Sequence, residues 1–126
     1  MPWQIEYLPE EATVVIVSTG ETTPQDSVAQ TDAAVELQAK YNVHRFLLDY
    51  SQTRVTAQLV DIYELPTYYN KRGVPHDLRI AVVFPADHLQ YEKYEFYEDV
   101  CLNRGYRSLI FDSVDKAWAW LKQDKD

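Results

Sequence analysis

Short runs of apolar, largely β-branched residues recur along this chain, with room for a helix after each. That alternation constrains the fold more than any other feature. The runs are Thr13–Val17, Phe46–Tyr50, Arg79–Phe84 and Tyr106–Phe111. A further stretch, Trp3–Leu8, alternates apolar and polar residues as a strand with one wet face does. Pro9 to Ala12 reads as a turn, so the chain opens with a hairpin. The predicted order is β-β-α-β-α-β-α-β-α. This is an α/β fold with a mixed, mostly parallel five-stranded sheet, an antiparallel N-terminal hairpin and helices packed on it.

Local signals place the helices. Gly20 is expected to end the second strand. Thr22, Thr23 and Pro24 then start a helix with Asp26 in its first turn, Val28, Val35 and the alanines between them on its inner side, and a stop at Asn42. Thr56 is the expected cap of a second helix, in which Leu59, Ile62, Tyr63 and Tyr69 recur at helical spacing. Pro66 falls inside that pattern and predicts a kink or a break, because its ring removes a backbone bond and clashes with the preceding turn. Lys71, Arg72 and Gly73 close the helix. Asp87 is expected to cap a third helix with Leu89, Phe96, Val100 and Cys101 as its inner stripe, and with His88 exposed in its first turn. Ser113 caps a last helix through Lys122, after which Gln123 to Asp126 read as a frayed end.

A chain of 126 residues fits one domain, residues 1–126. Its formal charge of −8 opposes the phosphate backbone, so nucleic acid is not an expected partner. No apolar run reaches the ~20 residues of a membrane span, and a single cysteine suits a reducing compartment, so the expectation is a cytoplasmic protein with no membrane insertion. His44, His76 and His88 stand apart without metal-ligand spacing. The three glycines each end an element, and no phosphate-cradling loop is present. Ser51 lacks the Gly-x-Ser-x-Gly turn of a hydrolase nucleophile, and Cys101 falls on an inner helix face. Neither an enzyme nor a cofactor is therefore expected.

Two features remain as candidate sites. In "RFLLDYSQT", Arg45 to Thr53, an apolar strand gives way to Asp49, Ser51 and Thr53, polar residues expected at the strand end and in the loop that follows. Asp49 and Ser51 are suited to bonding nearby backbone amides. Asp49 invites comparison with phosphorylated receiver domains, but Glu10 and Glu11 fall in the hairpin turn and Lys116 falls inside the last helix. The second feature is the aromatics: Tyr63, Tyr68 and Tyr69 straddle Pro66, and Tyr91, Tyr94 and Tyr97 form a stripe along the third helix. Such tyrosines rim a core, or they form a partner surface or ligand cleft.

The order of elements, with "LLDYS" at 47–51, "DIYELPTYY" at 61–69, "RIAVVFP" at 79–85, "NRG" at 103–105 and "KAWAWL" at 116–121, resembles the STAS superfamily. The likeness is to its SpoIIAA-like, or STAS/SEC14, branch of small bacterial proteins. The resemblance implies a module that acts by binding, through a protein partner or self-association. In the antagonist branch a serine at the start of the second helix is phosphorylated. Here the Asp-Ser-Ser-Gly phrase is missing, and Thr56 and Ser51 are the candidate phospho-acceptors. The branch name also suggests a carrier of a small apolar ligand, expected between the second and third helices beside Tyr63 and Tyr69. In the last helix, spacing favours Val114, Ala117, Trp118 and Leu121 as the inner face, while the family phrase favours Trp120 and Leu121. The phrase is preferred, with Trp118 partly exposed.

Overall fold

The computed structural model describes residues 2–123, so the expected fraying of Asp124 to Asp126 lies outside the described residues. Strands β1 (Trp3–Leu8) and β2 (Thr13–Thr22) form the antiparallel hairpin, and β3 (Arg45–Val55), β4 (Arg79–Val83) and β5 (Arg107–Phe111) follow in parallel. Spatial order equals chain order across the five-stranded sheet. Successive parallel crossovers of one hand, always stepping the same way, put their helices on one face. These are α1 (Pro24–Tyr41), α2 (Leu59–Lys71) and α3 (Tyr91–Asn103), while α4 (Val114–Leu121) follows the last strand and covers the other face.

The α1 boundaries follow their sequence signals. Thr23 Oγ1 accepts from Asp26 N at 3.1 Å, Asp26 Oδ2 accepts from Thr23 N at 2.9 Å, and Asn42 closes the helix in the left-handed conformation (φ 54°). Other boundaries differ. β2 continues through Gly20 to Thr22 because β3 is also longer than expected and pairs with it as far as Val55. Thr56 caps nothing: its N donates to Thr22 O at 2.9 Å, and α2 begins three residues later, behind Gln58, whose N donates to Asp61 Oδ2. Asp87 likewise binds Leu89 N at 3.0 Å in a turn that also contains His88, and α3 starts only at Tyr91. Leu89 therefore lies outside the helix and is 84% exposed.

No break occurs at Pro66. Its ring is fully buried on the core side of α2, and packing there offsets the lost backbone bond. The inner stripe of α3 is Tyr94, Tyr97, Val100 and Cys101, so two of the three tyrosines expected along a partner surface belong to the core. α4 is too short to be stable alone, so its burial decides its fate. Ala117 and Leu121 are fully buried, and the leucine alone contributes about 1.5–3 kcal/mol. Trp118 and Trp120 flank them, each half-buried, so spacing and family phrase each identify part of the inner face. Arg79, buried at the start of β4, donates to Trp120 O at 2.9 Å and Gln123 O at 2.8 Å, which closes the carbonyl end of α4.

Candidate functional site

The stretch "RFLLDYSQT" is strand throughout, and it contains a bulge. Val17 pairs with Asp49 and Thr19 with Gln52, so Tyr50 and Ser51 together oppose Ser18. An extra residue reverses which side chains face each side. Phe46 and Tyr50 before it, and Val55 after it, consequently join the same core cluster under the helices. Asp49 Oδ1 accepts from both Ser51 N (3.0 Å) and Ser51 Oγ (2.6 Å), which gives the amide at the bulge a partner. Thr53 is buried, with its hydroxyl 2.7 Å from that of Thr22 and 3.1 Å from Gly20 O. The loop expected after Tyr50, with Ser51 and Thr53 in it, is therefore sheet. Ser51 and Thr56 are both half-buried and hydrogen-bonded, and neither opens a helix.

On the face covered by three helices, a cleft of about 560 Å³ lies between α1 and α2. It exists because α1 stands off the sheet: among its residues, all of them described, Gln30 alone is buried. Val28 and Val35, expected inside, line the cleft wall, and Val28 is 38% exposed. Phe46, Leu48, Ile80 and Val82 form the floor, Ile62, Tyr63 and Leu65 the opposite wall, and Lys93, Tyr94 and Tyr97 reach in from α3. Asp32 ties the two walls, accepting from Tyr68 Oη at 2.6 Å and Arg72 Nη1 at 2.7 Å.

A ligand space was expected between the second and third helices, but those two pack together. Tyr69 and Tyr97 hydroxyls meet at 2.9 Å, and Arg104 donates to Thr67 across the same seam. Of the singled-out tyrosines, Tyr63, Tyr68, Tyr69, Tyr94 and Tyr97 line the cleft. Tyr91 instead packs its ring on Phe84, 5.2 Å between centroids.

The cleft holds polar groups that sequence reasoning missed. Gln30 Nε2 donates to Ser18 Oγ at 2.9 Å, and Tyr50 Oη donates to Gln30 Oε1. Burial pushes the Tyr50 phenol up to about 12. Gln30, Ala34, Leu37 and Tyr41 share one helical stripe, the signal that could have placed Gln30 inward. Tyr94 is 4% exposed, and among the described residues its Oη is the buried side-chain atom left without a partner. At the far end of β3 the Gln90 side chain pairs with Val55 as another strand would, accepting from its N and donating to its O, both at 2.8 Å. Lys93 Nζ donates to the same carbonyl at 3.0 Å. Cys101 is fully buried, and desolvation pushes its thiol up to about 12. Among the described residues no group of three His, Cys, Asp or Glu could hold a metal ion, and no helix is long and apolar enough to cross a membrane.

Two solved structures share this arrangement. The anti-sigma factor antagonist SpoIIAA in its unphosphorylated form superposes with a TM-score of 0.55 at 16% identity, over 90% of this chain and 91% of that one. The fold is SpoIIAA-like. An uncharacterized protein of the DUF3478 family from Shewanella loihica PV-4, itself described as having a SpoIIAA-like fold, also superposes with a TM-score of 0.55 at 16% identity, over 94% of this chain and 91% of that one. No family model matches the sequence, and no curated protein matches it. On this SpoIIAA-like frame the cleft occupies the face covered by α1, α2 and α3.

Proposed function

We propose that this chain is a non-enzymatic binding module whose cleft between α1 and α2 takes up a small apolar ligand. The supporting observation is the cleft itself: about 560 Å³, walled mostly by Val, Leu, Ile, Phe and Tyr side chains. That volume lies in the ordinary range of small-molecule sites. A twelve-carbon chain buried there gains roughly 0.8 kcal/mol per carbon, about 10 kcal/mol in all. Association costs of about 4 kcal/mol or more leave a net affinity typical of a carrier or sensor. Binding, not chemistry, also suits the hydroxyls, since burial raises the Tyr50, Tyr69 and Tyr97 phenols and makes them poor nucleophiles. The test is native mass spectrometry of the gently purified chain. Added mass released by organic solvent is expected, and a bare chain that takes up no added apolar compound overturns the reading.

A second reading, contact with a protein partner or a second copy, draws on the outer face of α2. Leu59, Val60 and Tyr63 are 40%, 62% and 52% exposed there. The likeness to an anti-sigma factor antagonist agrees with a regulatory role of this kind. Light scattering across a concentration series tests self-association. A second copy requires a mass above 14.8 kDa that returns to it in Val60→Asp, and a monomer at every concentration removes that branch.

A further inference from the structure

We infer that the ligand is a single-chain amphipathic carboxylate, with its head at Lys93 and its hydrocarbon tail along the floor toward Leu78. This rests on the reading of the cleft as a ligand site. Lys93 lines the cleft at the end where β3 stops, and it is half-buried. Its ammonium has three N–H groups, and one is used, on Val55 O at 3.0 Å. No carboxylate lies within ion-pair distance of it among the described residues. Gln90 already holds both backbone groups of Val55, so the sheet end does not depend on Lys93.

Two acidic groups near that end are turned to backbone amides. Asp61 accepts from Gln58 N, and Asp26 accepts from Thr23. The first turns of α1 and α2, through Pro24, Ser27 and Asp61, border the same end, where helix dipoles favour an anion. Glu64 and Lys71, the other charged side chains on the wall, lie further along α2 and are both exposed. An anion at Lys93 satisfies the remaining ammonium donors, and the apolar floor takes the tail.

The test uses the neutral dye N-phenyl-1-naphthylamine, displaced by dodecanoate or by 1-dodecanol below their micelle and solubility limits. Dodecanol leaves water more readily, so without a cation it is the better displacer. Dodecanoate is expected to displace the dye from the wild-type chain at roughly tenfold lower concentration than dodecanol. Lys93→Met should remove that preference by weakening dodecanoate alone, and Lys93→Arg should retain it. Equal displacement, or preference for dodecanol, in the wild-type chain overturns the inference and leaves the cleft reading intact. A chain that binds no dye at all overturns both. The wild-type comparison decides even if Lys93→Met does not fold.

Discussion

Tyr50 Oη donates to Gln30 Oε1, so the strand that forms the cleft floor holds the helix that forms its wall through a buried hydrogen bond. Gln30 passes the connection on to Ser18 of β2. Tyr50→Phe leaves a buried amide oxygen without its donor, and a loss of about 1–2 kcal/mol is expected in urea unfolding. Gln30→Leu combined with Tyr50→Phe should cost less than the two single changes summed, because the double variant leaves no orphaned half of the pair.

Tyr94 presents the opposite case. Its hydroxyl is buried and unpaired, a situation that costs about 1–3 kcal/mol. Tyr94→Phe keeps the ring against Tyr50 and Phe84 and removes the orphan. A gain of about 1 kcal/mol in urea unfolding is expected. Destabilisation would contradict the assignment of an unpaired hydroxyl.

The bulge in β3 depends on Asp49 more than on Ser51. Asp49→Ala strands both the amide and the hydroxyl of Ser51, whereas Ser51→Ala leaves the amide bond in place. Thermal unfolding should rank Asp49→Ala below Ser51→Ala, with a deficit of about 1–2 kcal/mol against wild type for the former. The reverse ranking would contradict this role for the carboxylate.

What was legible in the sequence and what was not divides along the range of the interactions. The Val and Ile runs of β2 and β4, the start of α1 at the Thr22–Pro24 signal and the Ser113 cap depend on neighbours a few residues away, and each is found where its residues predict. The length of β3 depends on partners 31 to 35 residues distant: Thr22 for Thr53, and Gln90 for Val55. Polar residues at 51–53 look like a loop until those partners are known. The cleft was misplaced for a related reason. Val28 and Val35 read as core residues because spacing does not tell a packed face from one that lines an open trough, and the polar anchor Gln30 sits where an apolar residue is the usual occupant.

Cys101 makes the chain sensitive to alkali. Its folded thiol is raised to about 12, while the unfolded thiol titrates near its ordinary value of about 8.5. The unfolded state therefore releases its proton first as pH rises. The stabilising contribution is fully present below about pH 8.5 and is lost progressively from there to about 12. Cys101→Ala should flatten the fall in melting temperature between pH 8.5 and 10. In the native wild-type chain at pH 8, iodoacetamide should leave Cys101 unmodified until urea unfolds it, and rapid native labelling would contradict the burial.

The central claim is that the space between α1 and α2 is a binding site. A fluorescence titration with N-phenyl-1-naphthylamine, run on the wild-type chain and on Val35→Trp, tests it most directly, since the indole would fill the trough that Val35 borders. Saturable one-to-one binding by wild type, weakened roughly tenfold or more in a variant with the same far-ultraviolet circular dichroism, is the predicted result. No uptake by the wild-type chain, or equal uptake by both, would contradict it.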